Sequence, residues 1–340
     1  MIRGRILTAA AVVLIAVSTL TTIVWQRSAY AVQTASVGGD ALKISPVRWD
    51  LTVDPGTTKV IDLFVQNLTD VPATLHPAIN DFTASTDESG APKVILDEDK
   101  FAPSHSFKKF AQPLKDFTVA PHEMKTIKAT IVIPKDAAGG GYYGAIRFSP
   151  SSAAGGKNVN LSGSVGSLIL LRVNGDIKEQ LNVASFDVSQ KPKNKDDKAK
   201  VGAFFNSNKN LTSVVRFNNA GNVQVAPFGT VVLKKAGKTI SQARINEVDP
   251  RGLVLPDSTR RFEVNLDKVG AFGKYTIEGS FGYGSTGQLL TAKKTFYVVP
   301  VSVFVLIGLA IAVLAFLIFV LPRMIRNYNK RVIRRASRRR

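Results

Sequence analysis

Apolar residues recur at every second position in short runs along the middle of the chain. Ile61, Leu63 and Val65 alternate with polar neighbours, and so do Ile127, Ala129, Ile131 and Ile133. A period of two sets one row of side chains on a core and the other in water, so each run predicts a half-buried β-strand. Gly, Pro and Asn punctuate the runs at short intervals, and no long stretch holds helical apolar spacing; only a brief turn near Ser104–Phe110 reads as helical. Short strands with this punctuation predict an all-β fold of the immunoglobulin-like sandwich type.

Two patterns recur in the same order in each half. Val65-Gln66-Asn67 leads through Asp70-Val71 to Pro77, and Phe217-Asn218-Asn219 leads through Asn222-Val223 to Pro227. Later, Val119-Ala120-Pro121 opens an alternating strand, with Tyr142 after a Gly-rich turn; Val254-Leu255-Pro256 opens another, with Gly273 and Tyr275 after it. The repeat predicts two sandwich domains in tandem, over 40–178 and 179–298, joined somewhere in Gly175–Gln190. Gln190–Lys198 reads as a solvated polar loop, since Asp196 and Asp197 offset its lysines. Ser149–Asn160 reads as a flexible hairpin tip, and Phe82–Lys115 as a long, poorly patterned insertion of the functional or disordered kind.

The two ends have a different pattern. Arg3 and Arg5 precede an uncharged run from Ile6 to Trp25, and Ala29 and Ala31 supply the small residues of a cleavage site, so 1–31 reads as a secretory signal. From Val301 to Leu321 the chain is apolar apart from Ser302 and Gly308, long enough to cross a hydrocarbon core of about 30 Å. The predicted span is 299–321. Arg323, Arg326, Lys330, Arg331, Arg334 and Arg335, with Arg338–Arg340, then crowd one flank, and the positive-inside rule places the tail, 322–340, in the cytoplasm and the middle of the chain outside the plasma membrane.

This topology changes the meaning of the charge. The formal net charge is +20, but three cations lie in the first 31 residues and nine follow Leu321, with no acid in either stretch. Without those twelve the remainder stands at about +8. Such a surface suits anionic partners, wall polymers or lipid headgroups, and does not call for nucleic acid. There is no cysteine, which excludes a disulfide framework, a thiolate metal site and a cysteine nucleophile.

A search for chemistry finds little. His76, His105 and His122 share no metal-ligand spacing, and no nucleophile elbow, P-loop or dinucleotide fingerprint occurs. Gly139-Gly140-Gly141 leads into Tyr142-Tyr143, a strand, and so reads as a turn rather than a phosphate cradle. Asp87, Glu88, Asp97, Glu98 and Asp99 match no cation-loop signature and read as solvated; a wall hydrolase using Asp97 and Asp99 is a minor alternative. No catalytic constellation, metal or cofactor is expected. Wall polymers are gripped by flat aromatic faces beside charged or amide groups, which makes Trp49, Tyr142, Tyr143 and Arg147 the candidate ligand contacts; equally, one tyrosine must face a core and Trp49 can plug the sandwich.

As a whole the chain resembles the WxL-interacting cell-surface proteins of Gram-positive-type bacteria. The resemblance is carried by Ile44-Ser-Pro-Val-Arg-Trp-Asp-Leu-Thr-Val-Asp-Pro-Gly56, Val65-Gln-Asn-Leu-Thr-Asp70 and Ile133-Pro-Lys-Asp-Ala-Ala-Gly-Gly-Gly-Tyr-Tyr-Gly-Ala-Ile-Arg-Phe148. In the second half Asn219-Ala-Gly-Asn-Val223, Gly229-Thr-Val-Val232 and Leu255-Pro-Asp-Ser-Thr-Arg-Arg-Phe262 carry it. The Gly-rich Ala137–Gly144 stretch and the Phe82–Lys115 insertion depart from the family pattern. The resemblance implies a first domain that binds peptidoglycan, a second that binds another surface protein, and a helix that fixes both to the bilayer. The competing expectation is a chaperone-like or assembly subunit that takes partner strands at a sheet edge.

Overall fold

The computed structural model describes residues 41–150, 163–192 and 199–326. The expected signal segment, most of Ser149–Asn160, most of the Gln190–Lys198 loop, and Lys330, Arg331, Arg334 and Arg335 lie outside the described residues. The chain is all-β with one apolar helix at its C-terminal end. Nine strands come first: β1 (Leu42–Ser45), β2 (Arg48–Val53), β3 (Thr58–Asn67), β4 (Ala73–Ala84), β5 (Pro92–Val94), β6 (Phe117–Val119), β7 (Met124–Val132), β8 (Gly140–Pro150) and β9 (Val165–Val173). Nine follow: β10 (Leu181–Gln190), β11 (Lys200–Val201), β12 (Phe204–Phe205), β13 (Leu211–Asn219), β14 (Phe228–Lys235), β15 (Lys238–Ile245), β16 (Ser258–Asn265), β17 (Gly273–Tyr283) and β18 (Gln288–Val298).

The sheet orders repeat. β1-β3-β7 faces β2-β9-β8-β4-β5, with β6 on β4; β11-β10-β13-β16 faces β12-β18-β17-β14-β15. In each set the larger sheet begins with a parallel pair, β2 on β9 and β12 on β18, and the named pairs that follow are antiparallel. The alternating residues fill the space between. Ile61, Leu63, Val65, Ala129 and Ile131 meet Leu75, Ile146, Phe148, Ile169 and Leu171 in one buried cluster, and Leu181, Val188, Val215 and Phe217 meet Val231, Leu233, Ile277, Phe281 and Phe296 in another. β10 is part of the second cluster from Leu181 on, so the chain crosses between the two within 174–180.

The repeated sequence patterns have a physical role: a buried asparagine joins them. Asn67 Nδ2 donates to Val71 O (2.8 Å) and Val119 O (3.3 Å), while its Oδ1 accepts from Thr69 N–H (3.0 Å). Asn219 Nδ2 donates to Val223 O (2.8 Å) and Val254 O (2.9 Å), and its Oδ1 accepts from Gly221 N–H (2.9 Å). Each side chain is fully buried and satisfies backbone groups where one strand ends and another segment arrives. The proline of each later pattern is followed by a residue at positive φ, His122 (58°) and Asp257 (54°), as in a turn with proline at its second position.

The Ser104–Phe110 stretch is not helical. It makes one turn, with Phe110 N–H on Phe107 O (2.9 Å), and Ser106 bridges in parallel to Tyr143. The Phe82–Lys115 insertion is likewise folded in. Buried Asp81 holds it, its two carboxylate oxygens accepting from Ala102 N–H and Lys108 N–H, both at 2.8 Å, and Phe107 is fully buried in the first core. Gly144 makes room for that ring: a Cβ there would collide with Phe107.

After Val299 and Pro300 comes α1 (Val301–Ala315), continued by a π-helical turn, Phe316–Val320, and a last turn to Arg326. No residue of α1 is buried, although the segment is almost wholly apolar. At 26 residues it is about 39 Å long, enough to cross a bilayer core.

Candidate functional site

The middle of the outer face of the larger first sheet is covered. Leu168 and Leu170 on β9, Phe82 on β4 and Tyr143 on β8 meet Leu253 and Leu255 of the second half in a small apolar cluster. Around it, Gly141 N–H donates to Asn222 O (2.7 Å), and Asn222 Nδ2 donates to Gly139 O (3.1 Å) and Asp176 O (2.7 Å). At the tip of the β4–β5 hairpin, Glu88 accepts from Arg216 Nε at 2.5 Å, and its carbonyl accepts from Arg261 N–H at 2.8 Å. The Gly-rich stretch and the insertion, the two departures from the family pattern, therefore build this seam. A Cβ at Gly139 would lie 2.7 Å from Asp176 N, and one at Gly141 would strike the Tyr143 hydroxyl.

Glu179 fastens the crossing between the two halves. Burial pushes its carboxyl up, but the Ser285 N–H and hydroxyl and the Arg172 guanidinium outweigh burial and hold it below the ordinary carboxylate value. A lowered folded-state value contributes stability that is complete above the unfolded value, about 4.3, and is lost as pH falls through the folded one. The thermal midpoint of the wild type is therefore expected to fall more steeply from pH 5 to pH 2 than that of Glu179→Gln. Parallel calorimetric pH profiles would refute the assignment.

The four residues read as ligand contacts all belong to this closed sheet, and they do not form one site. Trp49 on β2 packs into the first core, its indole Nε1 buried without a hydrogen-bond partner. Tyr142 rests on the same core, edge to face with Phe110 at 4.7 Å, and its hydroxyl donates to Ala138 O; burial pushes its pKa up. Tyr143 is 2% exposed, and its hydroxyl donates to Gln224 Oε1 at 2.8 Å. It is a seam residue, and burial pushes its pKa far up. Arg147 is half-buried on the face of β8 that carries Tyr143, and its Nε donates to Asn80 Oδ1 at 2.8 Å.

The open face is on the other sheet. With Ile61, Leu63 and Val65 turned inward, β3 turns Val60, Asp62, Phe64 and Gln66 outward. The register sets Phe64 between Ser45 and Thr126, and Gln66 between Lys43 and Met124. Phe64 is 39% and Met124 58% exposed, and a shallow groove of about 340 Å³ runs between them, lined also by Lys43, Ser45 and Gln66. This is a flat ring beside an amide and an ammonium group, the composition sought in the sequence but at other residues. The signal was present in the alternation, which puts an aromatic on the wet face of β3.

Of the acidic and histidine candidates, Glu98 and His76 come near one another, at 3.9 Å, and together they form no constellation with the others. Asp97 sits in an exposed turn, where Lys100 (2.9 Å) and Asp99 N–H hold its carboxyl below the ordinary range, the reverse of what a general acid needs. Asp87 is held at about 2 by Ser89 N–H and neighbouring serine hydroxyls. His76 lies between Asp116 (2.7 Å) and Glu98 (3.9 Å), His122 beside Asp70, and His105 on Gly141 O. Among the described residues no group of His, Asp and Glu is arranged to hold a metal ion. The long edge strands β7, β15 and β16 carry Lys125, Lys128, Lys238, Arg244, Arg260 and Arg261, charges that discourage strand addition.

Compared with known proteins, residues 43–150 match the family described as WxL Interacting Protein, peptidoglycan binding domain. The match covers β1 through β8, the open face included, and bears out the resemblance over that segment. No curated protein matches the chain. Solved structures with a similar course include the class 5 fimbriae chaperone CfaA (11% identity, 76% of this chain and 99% of that one, TM-score 0.38). The Pseudomonas aeruginosa CupB2 chaperone (12%, 74% and 99%, TM-score 0.32) and the E. coli chaperone DraB (15%, 75% and 96%, TM-score 0.32) are similar to the same extent.

Proposed function

We propose, on the premise that residues 43–150 are a peptidoglycan-binding domain of the WxL-interacting type, that the chain is a non-catalytic cell-surface scaffold. Its first sandwich, over 40–178, holds the wall polymer on the Phe64 face. Its second, over 179–298, presents a surface to another protein, and the helix after Pro300 anchors both, with the basic tail in the cytoplasm. The observation that carries the wall contact is the open β1-β3-β7 face within the matched segment, the opposite sheet being closed by the seam. Phe64 offers a ring to a sugar face, with Gln66 and Lys43 in hydrogen-bonding reach of its substituents. The anchor strengthens a weak contact, since a tethered site meets the wall at high effective concentration.

The test is sedimentation of the full chain, in detergent, with washed cell-wall sacculi. Phe64→Ala is expected to weaken retention about tenfold, roughly 1.4 kcal/mol, with little change in stability because the ring is exposed. Arg147→Ala, which leaves that face intact, is expected to pellet as the wild type does. The reverse result would move the wall contact to the β8 face.

A further inference from the structure

The helix leaves the second sandwich with almost no slack. β18 ends at Val298, Val299 N–H is bonded to Phe205 O at 2.8 Å, and α1 begins at Val301. Two connecting residues reach at most about 7 Å. The uncharged stretch 301–321 is about 31 Å long, close to the thickness of a hydrocarbon core, which would set Val301 at its boundary. With α1 as a membrane span, this end of the sandwich would stand within the headgroup layer.

The register shows which segments share that end. Gly273 pairs with Val298, Lys235 with Tyr275, Phe205 with Val298, and Gln190 with both Leu211 and Lys200. The β14–β15 turn, the β16–β17 loop and the β12–β13 loop therefore cluster beside the helix. Together with the start of β11 and the adjoining ends of β14, β15 and β17 they carry Lys200, Lys209, Lys235, Lys238, Lys268 and Lys274, all exposed and none paired with a carboxylate among the described residues. Asp267 is the acid among them, and Lys191 is matched by Glu263 at 3.1 Å. Apolar groups stand among the cations: Phe272 is 56% exposed, and Phe204, 64% exposed, stacks on Tyr297 at 5.0 Å.

The geometry points to this end of the second sandwich as a docking surface for anionic lipid headgroups, with lysines on the phosphates and Phe204 and Phe272 at the level of the acyl boundary. Cations near an anionic surface are attracted within a Debye length, and aromatic and aliphatic groups favour the interface. The inference rests on the reading of α1 as a membrane span. Docking here would turn a sandwich on a two-residue leash into one held upright by several contacts.

Since the chain lacks cysteine, one can be introduced cleanly. The full chain carrying Ala271→Cys, labelled with a fluorophore, is placed in nanodiscs that contain a headgroup-quenching lipid. Val248→Cys, at the opposite end of β15, is the control. Replacing neutral phosphatidylcholine partly by phosphatidylglycerol is expected to raise quenching at 271 about threefold, with no change at 248. Raised salt, or the triple variant Lys238→Gln, Lys268→Gln, Lys274→Gln, should abolish the increase. Equal quenching in neutral and anionic discs would overturn the proposal. So would an equal fluorophore response to soluble polyphosphate in neutral discs, which would make the surface a polyanion site. Release of the chain by alkaline extraction would remove the span itself, and the proposal with it.

Discussion

Replacing Asn219 by alanine is expected to destabilise the second sandwich by about 3 kcal/mol, lowering its thermal midpoint by roughly 10–20 °C. The side chain is fully buried and makes three hydrogen bonds, to Val223 O, Val254 O and Gly221 N–H. Alanine fills little of the space and leaves Val223 O and Gly221 N–H without a partner where water does not reach, while Val254 O keeps the Val225 N–H at 3.1 Å; each orphaned group costs about 1–3 kcal/mol before relaxation. Asn219→Asp should cost at least as much, because it keeps the acceptor for Gly221 but sets a buried carboxylate against Val223 O and Val254 O. Asn67→Ala should cost the first sandwich a similar amount. Scanning calorimetry of the full chain reads both, and a loss below about 1 kcal/mol would mean that the loops are held by something other than the asparagines.

The second large effect is expected at the seam. Gly141→Val puts a branched side chain where a single Cβ already collides with the Tyr143 hydroxyl, and beside the N–H that Asn222 O receives at 2.7 Å. Overpacking of this kind costs about 1–3 kcal/mol, and the displaced Tyr143 also gives up Gln224. Because Gly141 touches neither main core, the damage should fall on the docking of the halves. The expected outcome is retained β-structure, a single melting transition split into two, and cleavage within 174–180 faster by about an order of magnitude. A variant that melts as one unit with an unchanged cleavage rate would show that the seam contributes little.

The sheets were legible in the sequence because they follow a local rule: Ile61, Leu63 and Val65 have one buried face and one wet face, and the period shows it. The paired Asn patterns were legible for the same reason, since each turn is built from residues near in sequence. The seam was not. On β8 both faces are covered, Tyr142 by the first core and Tyr143 by the apolar cluster at the seam, so the strand keeps no polar row, and its glycines read as a turn. Glu88, with its carboxylate on Arg216 from a segment 128 residues away, looks in the sequence like any solvated acid. The same blindness moved the candidate site. Tyr143 and Trp49 attracted notice as aromatics near charges; Tyr143 is buried in the seam and Trp49 is half-buried against the first core, whereas Phe64 sat unnoticed in the polar row of a well-patterned strand.

The strand directions also decide how the molecule responds to tension. The chain enters the second sandwich at Leu181, which pairs with Asn219, and leaves at Val298, which pairs with Gly273 at the opposite end. Under the proposed function, a wall polymer pulling on the first sandwich and a bilayer holding the helix would draw β10 and β18 lengthwise in opposite directions. Hydrogen bonds between antiparallel strands lie across that axis, so the eleven register pairs of β17 with β18 share the load in shear and do not unzip one by one. In that role the two ends of the second sandwich would stand where a pull between wall and membrane meets the sheets in their stiffest direction.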